Sequence, residues 1–323
     1  MPAVSVVIPN WNGAHLLPGC LDSVRAQVFR DLETVVVDDG STDQSAALVQ
    51  QSYPEVRLLR LPRNVGFCRA ANAGLRASRG EFLALINNDT ELHPRCVGEL
   101  VAAMRGDAGL GICAAKMVYY HDPVTINSAG QACGPDGVVV DIGRRQADGE
   151  WFSRPREVLG ACAGGALYRR SMVEQIGLFD ADFLMSFEDA DLSWRAQWAG
   201  WRARYVPSAV VKHREGVSRQ IRSKRAVFLG MRNTVHVWSK DWPLGSLLRH
   251  FPGIWRGWRA AGMALVRRGH AGLLPAAAVG ALVQMPRMLS RRRLIRRSRA
   301  VSARRFQELL TLGKRHTRRP PED

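Results

Sequence analysis

The sequence contains no C-x-x-C pair. Its six cysteines, at 20, 68, 96, 113, 133 and 162, are scattered over 323 residues. Such spacing excludes a zinc site or a disulfide framework and reads as reduced, mostly buried thiols. The glycine-rich dinucleotide fingerprint is absent too: the first strand pattern runs into "NWNGAHL" rather than G-x-G-x-x-G, which disfavours a nicotinamide cofactor. The phosphate-cradling G-x-x-x-x-G-K-[ST] loop is missing, so a bound nucleotide would have to be held by carboxylates with a metal beside them. No apolar run reaches the roughly 20 residues of a spanning helix. The longest, "GLLPAAAVGALVQM" at 272–285, is interrupted by Pro275, and no transmembrane span is expected. Residues 2–8 enter a strand pattern with no basic leader before them, which predicts a cytosolic catalytic part. Internal repeats are lacking, and acids are scarce: 29 Asp and Glu face 46 Lys and Arg, for a net charge of +17.

What is present is a globular composition, 46% hydrophobic and 23% charged. The positive charge is concentrated. Residues 287–319 hold thirteen Lys and Arg against one acid, Glu308, and so carry +12 of the +17. Over the first hundred residues strand and helix signals alternate. "VSVVIP" (4–9), "ETVVVDD" (33–39), "VRLLRL" (56–61) and "EFLALIN" (81–87) read as strands, each followed by helical spacing of apolar residues. Repeated β-α units imply an α/β fold with a largely parallel sheet and helices on both faces. From about residue 108 the rhythm gives way to short strands separated by Gly, Asp and Pro turns, with one helix at 187–201 and a strand in "ARYVPSAVVKH". After about 222 the pattern is helical. The expected organisation is a first unit over 1–221, split into 1–107 and 108–221, then a helical extension over 222–312 and a flexible basic tail over 313–323.

Ligands of open α/β sheets bind beyond the carboxyl ends of the strands. Three polar clusters fall there: "PNWNG" (9–13), "DDGSTD" (38–43) and "NNDTE" (87–91). One alone fits turn and N-cap chemistry; three on one sheet edge point to a shared site. With "NVGFCRAANAG", "FEDADLSWR" and the pair Arg232 and Asn233, in this order, the set resembles family 2 glycosyltransferases of GT-A fold over roughly residues 3–235. Within that family the N-x-G-F and N-N-D motifs resemble the rhamnosyltransferase-like subgroup. The resemblance implies a mostly parallel Rossmann-like sheet, a smaller mixed acceptor-side sheet and a nucleoside-diphosphate-sugar donor, dTDP- or UDP-linked. It assigns Pro9, Asn12, Asp38, Asp39, Asn64, Gly66, Asn72, Asn87 and Asn88 to the donor. Asp89 becomes the carboxylate ligand of a divalent Mg²⁺ or Mn²⁺ ion, which would neutralise the departing diphosphate.

The same resemblance makes Asp189, with Glu188 beside it, the base for an inverting transfer. Like charge from Glu188 and Asp191 raises a carboxylate pKa. The bland alternative is an acidic helix start favoured by the helix dipole. His213 is read as completing the metal shell, against a merely structural histidine. Gly164 and Gly165, with Asp191 and Arg195, are placed on the acceptor side; for the glycines a bulge or tight packing is the other reading. Arginines interleaved with Trp255, Trp258, Leu265, Leu289, Ile295 and Phe306 suit helices lying on an anionic membrane surface, at the inner face, near a polysaccharide or lipid-linked acceptor. No nucleic-acid-binding module is recognisable. The alternatives carried forward are a nucleotidyltransferase that makes a nucleotide sugar, and an inactive basic lipid- or nucleic-acid-binding protein.

Overall fold

The computed structural model describes residues 1–215 and 223–317. The expected boundary at 221/222 and the last residues of the tail (318–323) lie outside the described residues. The first half alternates as expected. Strands β1 (Val4–Asn10), β2 (Leu32–Asp38), β3 (Arg57–Arg60) and β4 (Phe82–Ile86) are separated by helices α1 (Leu17–Arg25), α2 (Ser45–Ser52) and α3 (Phe67–Ala77). β1 lies between β2 and β4, β3 pairs with β2, and these four run parallel. β1 and β4 are buried along their whole length, which is why they read as unbroken apolar runs rather than alternating ones.

The second half extends the same sheet with mixed polarity. After β5 (Thr90–Leu92) and α4 (Cys96–Arg105) come β6 (Leu110–Tyr119), β7 (Asp122–Ser128) and the ribbon β8 (Gln131–Cys133) and β9 (Val139–Asp141). β10 (Gln146–Ala147), β11 (Arg156–Val158) and β12 (Gly165–Arg169) follow, then α5 (Arg170–Ile176), α6 (Glu188–Trp198) and β13 (Arg202–His213). β12 is antiparallel to both β4 and β6 and bridges the two halves. β13 runs beside β6, and its last three residues pair with β5.

Among the described residues four more helices follow: α7 (Lys224–Asp241), α8 (Leu244–Arg267), α9 (Leu273–Arg297) and α10 (Ala303–Thr317). They share the core of the second half. Trp194 and Trp198, in the helix expected at 187–201, stack on Phe306 of α10, with ring centroids 4.8 and 5.5 Å apart. Phe306 also meets Trp242 edge-on at 5.0 Å. Phe306 and Leu265, read from sequence as part of a membrane-facing pattern, are therefore corrected: both point inward, 1% and 7% exposed.

Pro275 does not interrupt α9 as expected. It stands in the first helical turn, where no intrahelical partner is required of its missing N–H. Among the described residues α9 is consequently the one helix long and apolar enough, by length and composition, to cross a membrane. It packs along α7 with Ala277, Ala281 and Met288 buried. Its Arg291 pairs with Asp180 and Asp182.

The Phe306 stack supplies the first prediction. Phe306→Ala should lower the unfolding free energy by about 3–5 kcal/mol, seen as a fall in the urea midpoint, with Phe306→Leu recovering part of the loss.

Candidate functional site

The carboxyl ends of β1, β2 and β4 bring the three polar clusters together. The ends of β1 and β2 are in register, Asn10 opposite Asp38. Asn12, with φ +50°, accepts the Thr42 amide on its side-chain oxygen at 2.8 Å, while its own amide donates to Ser41 Oγ at 2.9 Å. Asn88 donates to Asn10 Oδ1 at 2.7 Å, tying the third cluster to the first. Gly40 is required here. Its φ is +67°, and a Cβ would lie 2.5 Å from the carbonyl carbon of Arg63. Pro9 is buried in β1, and Asn64 is exposed.

The two acids after β2 do different things. Asp39 accepts the amides of Val65 and Gly66 at 2.8 and 3.0 Å, one on each oxygen, and so clamps the loop that carries Asn64. Burial raises its pKa, those two hydrogen bonds oppose the rise, and Asp38 adds to it. Asp38 is 1% exposed, and its Oδ1 has no hydrogen-bond partner. An unpaired buried carboxylate oxygen is costly unless something fills the place.

Asp89 and His213 are brought together by register: β5 pairs with the end of β13 so that Thr90 faces His213, and the backbone carbonyl of Asp89 accepts the Arg214 backbone amide at 2.9 Å. Asp89 Oδ1 lies 3.3 Å from His213 Nε2, and neither atom has a hydrogen-bond partner. The other ring nitrogen, Nδ1, is 3.0 Å from Asn127 Oδ1, whose amide donates to Glu215. Asn127 Oδ1 can only accept, so Nδ1 carries a proton, and in the neutral ring Nε2 presents its lone pair toward the carboxylate. In that form two buried electron-pair donors face each other. A carboxylate oxygen and an imidazole nitrogen so placed fit a divalent cation. Two such side chains are an incomplete shell; among the described residues no cluster of three or more His, Cys, Asp or Glu could hold a metal.

The acid pair Glu188 and Asp189 opens α6. The backbone leading to it is strained: Leu184, Ser186 and Phe187 all have φ between +64° and +69°. Asn233 of α7 holds that loop, its amide nitrogen lying 2.8–2.9 Å from the carbonyls of Phe183, Met185 and Ser186. Arg232 adds a bond to Asp182 O at 2.7 Å and fixes the Asn233 amide by donating to Oδ1. Glu188 is buried with Oε2 unpaired; burial first, then the charge of Asp189, pushes its pKa up to about 8. Asp189 is more open, accepts the Ala163 amide at 3.3 Å, and is raised by burial. Asp141, at the end of β9, is a third acid of the group. It accepts from Ser128 Oγ at 2.9 Å, and burial with the Asp189 charge pushes it up to about 6.

The two ends are joined by short routes. One runs from Asp89 through His213 and Asn127 to the adjacent Ser128, Asp141 and Asp189. The other runs from Asp189 to Ala163, and from Gly164, whose carbonyl accepts the Asn87 amide at 3.4 Å, along the chain to Asp89. Several predicted residues stand elsewhere. Asp191 and Arg195 are corrected from acceptor contacts to core: they are 0% and 7% exposed and ion-paired at 2.9 Å. Arg195 also donates to the carbonyls of Ile176, Gly177 and Leu178. Asn72 is likewise committed inside, both ends of its amide bonded to the peptide of Phe179. Gly164 and Gly165 are buried beneath Asn87 and Met117; a Cβ on Gly164 would lie 2.7 Å from the Asn87 amide nitrogen. Asp141, Asn127 and the loop-holding role of Asn233 were not foreseen. Asp141 lies among the short strands expected after about residue 108, a pattern that marks no site.

Residues 5–177 match the family model described as "Glycosyl transferase family 2". Among curated relatives, the chain is 26% identical over 234 residues to the "Uncharacterized glycosyltransferase YibD" of Escherichia coli (strain K12), covering 67% of this chain and 63% of that one. It is 30% identical over 226 residues to an "N-acetylglucosaminyltransferase" of Mesorhizobium japonicum, covering 65% and 50%. The chain thus spans less than two thirds of either relative's length. Among solved structures it is similar to the "Mannosyltransferase PcManGT from Pyrobaculum calidifontis in complex with GDP-Man and Mn2+", with a TM-score of 0.54 at 19% identity, covering 92% of this chain and 86% of that one. That likeness shows the fold.

The raised Glu188 pKa predicts a pH dependence. Its proton is held in the folded chain up to about pH 8 but released above the ordinary glutamate value of 4.5 in the unfolded one. The native state is therefore favoured below that value and loses ground as pH rises to about 8. Glu188→Gln should flatten this slope: the urea midpoints of variant and wild type should differ more at pH 9 than at pH 5, with the variant the more stable at pH 9.

Proposed function

The chain belongs to glycosyl transferase family 2, and from that premise we propose that it moves a sugar, with inversion, from a nucleoside-diphosphate sugar to a hydroxyl of a polysaccharide or lipid-linked glycan. The observation that carries this reading is the linkage of the unpaired Asp89 and His213 atoms to the raised acid pair Glu188 and Asp189. A donor diphosphate and an acceptor hydroxyl need those two kinds of group side by side.

The donor end is the pocket between the three clusters. The free Oδ1 of Asp38 is available to a ribose or base donor group, and Asp39 holds the loop bearing Asn64 and Gly66 against it. Asn87 and Asn88 line the approach without adding negative charge beside the diphosphate. Asp89 and His213 would hold a divalent metal ion; when bound, it supplies positive charge to the departing diphosphate. The Mn²⁺ named with the mannosyltransferase of the same fold is in keeping with that donor pair. At the other end Asp189, the more open acid, takes the proton of the acceptor hydroxyl. Glu188, neutral below about pH 8, adds no second charge in that range, so Asp189 can ionise. Asn233 fixes where this pair points through the loop before α6.

The finer reading, rhamnose from dTDP-rhamnose, rests on the N-N-D and N-x-G-F motifs. The N-acetylglucosaminyltransferase named above supports an N-acetylhexosamine donor as the second reading. A thermal-shift screen of UDP-, dTDP- and GDP-sugars with and without Mn²⁺, followed by transfer assays, separates them.

Two outcomes test the assignments. Asp189→Asn should lower kcat by about 10²–10⁴-fold with nucleotide binding retained; normal turnover would remove Asp189 from its role. With only two protein ligands, Mn²⁺ should bind the free protein weakly and the nucleotide complex much more tightly in calorimetry. Asp89→Ala should erase that difference, and tight stoichiometric binding to the free protein would contradict the assignment.

A further inference from the structure

The α7–α8 region has a feature the transfer reaction does not use. An open cavity of about 370 Å³ lies between these helices, lined by Trp238, Trp255, Trp258, Phe251, Leu247 and Ile254. Beside it, Leu244, Leu248, Phe251 and Trp255 are 58–70% exposed. Their spacing of four, three and four residues makes one stripe along α8, since a helix turns every 3.6 residues or so. On the same geometry Arg249, Arg256, Arg259 and Arg267, all exposed, fall on one flank of the stripe. Leu247, Ile254 and Trp258 fall on the other, where they line the cavity. Charge here has one sign: residues 242–307 contain fourteen arginines and no Asp or Glu.

We propose that this face docks on an anionic lipid bilayer, with the stripe in the headgroup–acyl boundary, the arginines on lipid phosphates and one hydrocarbon chain in the tryptophan-lined cavity. Aromatic and aliphatic side chains flanked by arginine match such an interface on both counts, apolar burial and charge. A second copy of the chain is a poor occupant, because it would press one acid-free basic face against another. The cavity also adjoins the acceptor half. Trp238 Nε1 donates to Gly137 O at 2.7 Å, and Gly253 of α8 sits against Pro135. That loop leads into β9 and Asp141. If the transfer reading above holds, docking therefore sets the acceptor side close to the lipid surface.

The test is flotation of the full chain with vesicles, without donor or metal, so that failure of the transfer reading leaves it unaffected. Binding should be at least tenfold stronger to vesicles containing 30% phosphatidylglycerol than to pure phosphatidylcholine, and should fall severalfold between 0.1 and 0.5 M NaCl. Leu248→Glu and Trp255→Ala, checked for folding by circular dichroism, should each weaken it at least fivefold. Brominated acyl chains should quench tryptophan fluorescence less in Trp255→Phe. Equal binding to neutral vesicles, no binding to either, or a lipid-free dimer dissolved by Trp255→Ala would overturn the proposal, as would tighter binding of RNA that displaces the vesicles.

Discussion

Asp191 is wholly buried, and both of its oxygens are met by charge: Arg195 on one side and Lys240 on the other. Lys240 also binds Asp180, and Asp180 binds Arg291. Two carboxylates, Asp191 and Asp180, joined through Lys240, thus tie α6, α7, α9 and the segment before α6 together. Removing a partner from such a network leaves a buried charge uncompensated, which costs far more than the pair contributes when intact. The candidate catalytic acids stand one turn away on α6. Their direction is set by this lock beneath them and by Asn233 above the loop.

Where polarity follows from strand ends, the sequence was easy to read. Buried parallel strands need continuous apolar runs, and β1, β2 and β4 supply them. Each run stops at Asn or Asp because the strand leaves the core there, so the pocket was marked three times. Asp89 and His213 were legible as candidates for a related reason: each ends a strand-like run, although the register joining them is a property of the sheet alone. Polar residues on helices were harder to place. Asp191 and Arg195 at i, i+4 have the same spacing whether they face water or the core, and their partners Lys240 and Asp180 are far away in sequence. Asn72 posed the same difficulty, since an amide that serves a backbone looks like one that serves a ligand. Asp141 escaped because a single acid in a short, irregular strand carries no periodic signal.

The C-terminal helices show how one residue type misleads by position. Pro275 interrupts an apolar run on paper, yet in the first turn it costs nothing. Phe306, among arginines, looked like part of a surface and is instead the ring on which two tryptophans stack. What remains outside after these corrections, the Leu244 to Trp255 stripe, is narrower and more sharply bounded than the sequence pattern alone.

The strained loop before α6 has a consequence for how the protein divides. The family match ends at residue 177, whereas the acids that would act on an acceptor are at 188 and 189, and the amide that holds their loop is at 233. The three polar clusters at the strand ends fall inside that first segment, whereas His213, Glu188 and Asp189 stand in its continuation, and the loop before the acid pair is held from the helices behind it. A chimaera that exchanged α7 between relatives would change the hold on that loop without altering Glu188 or Asp189.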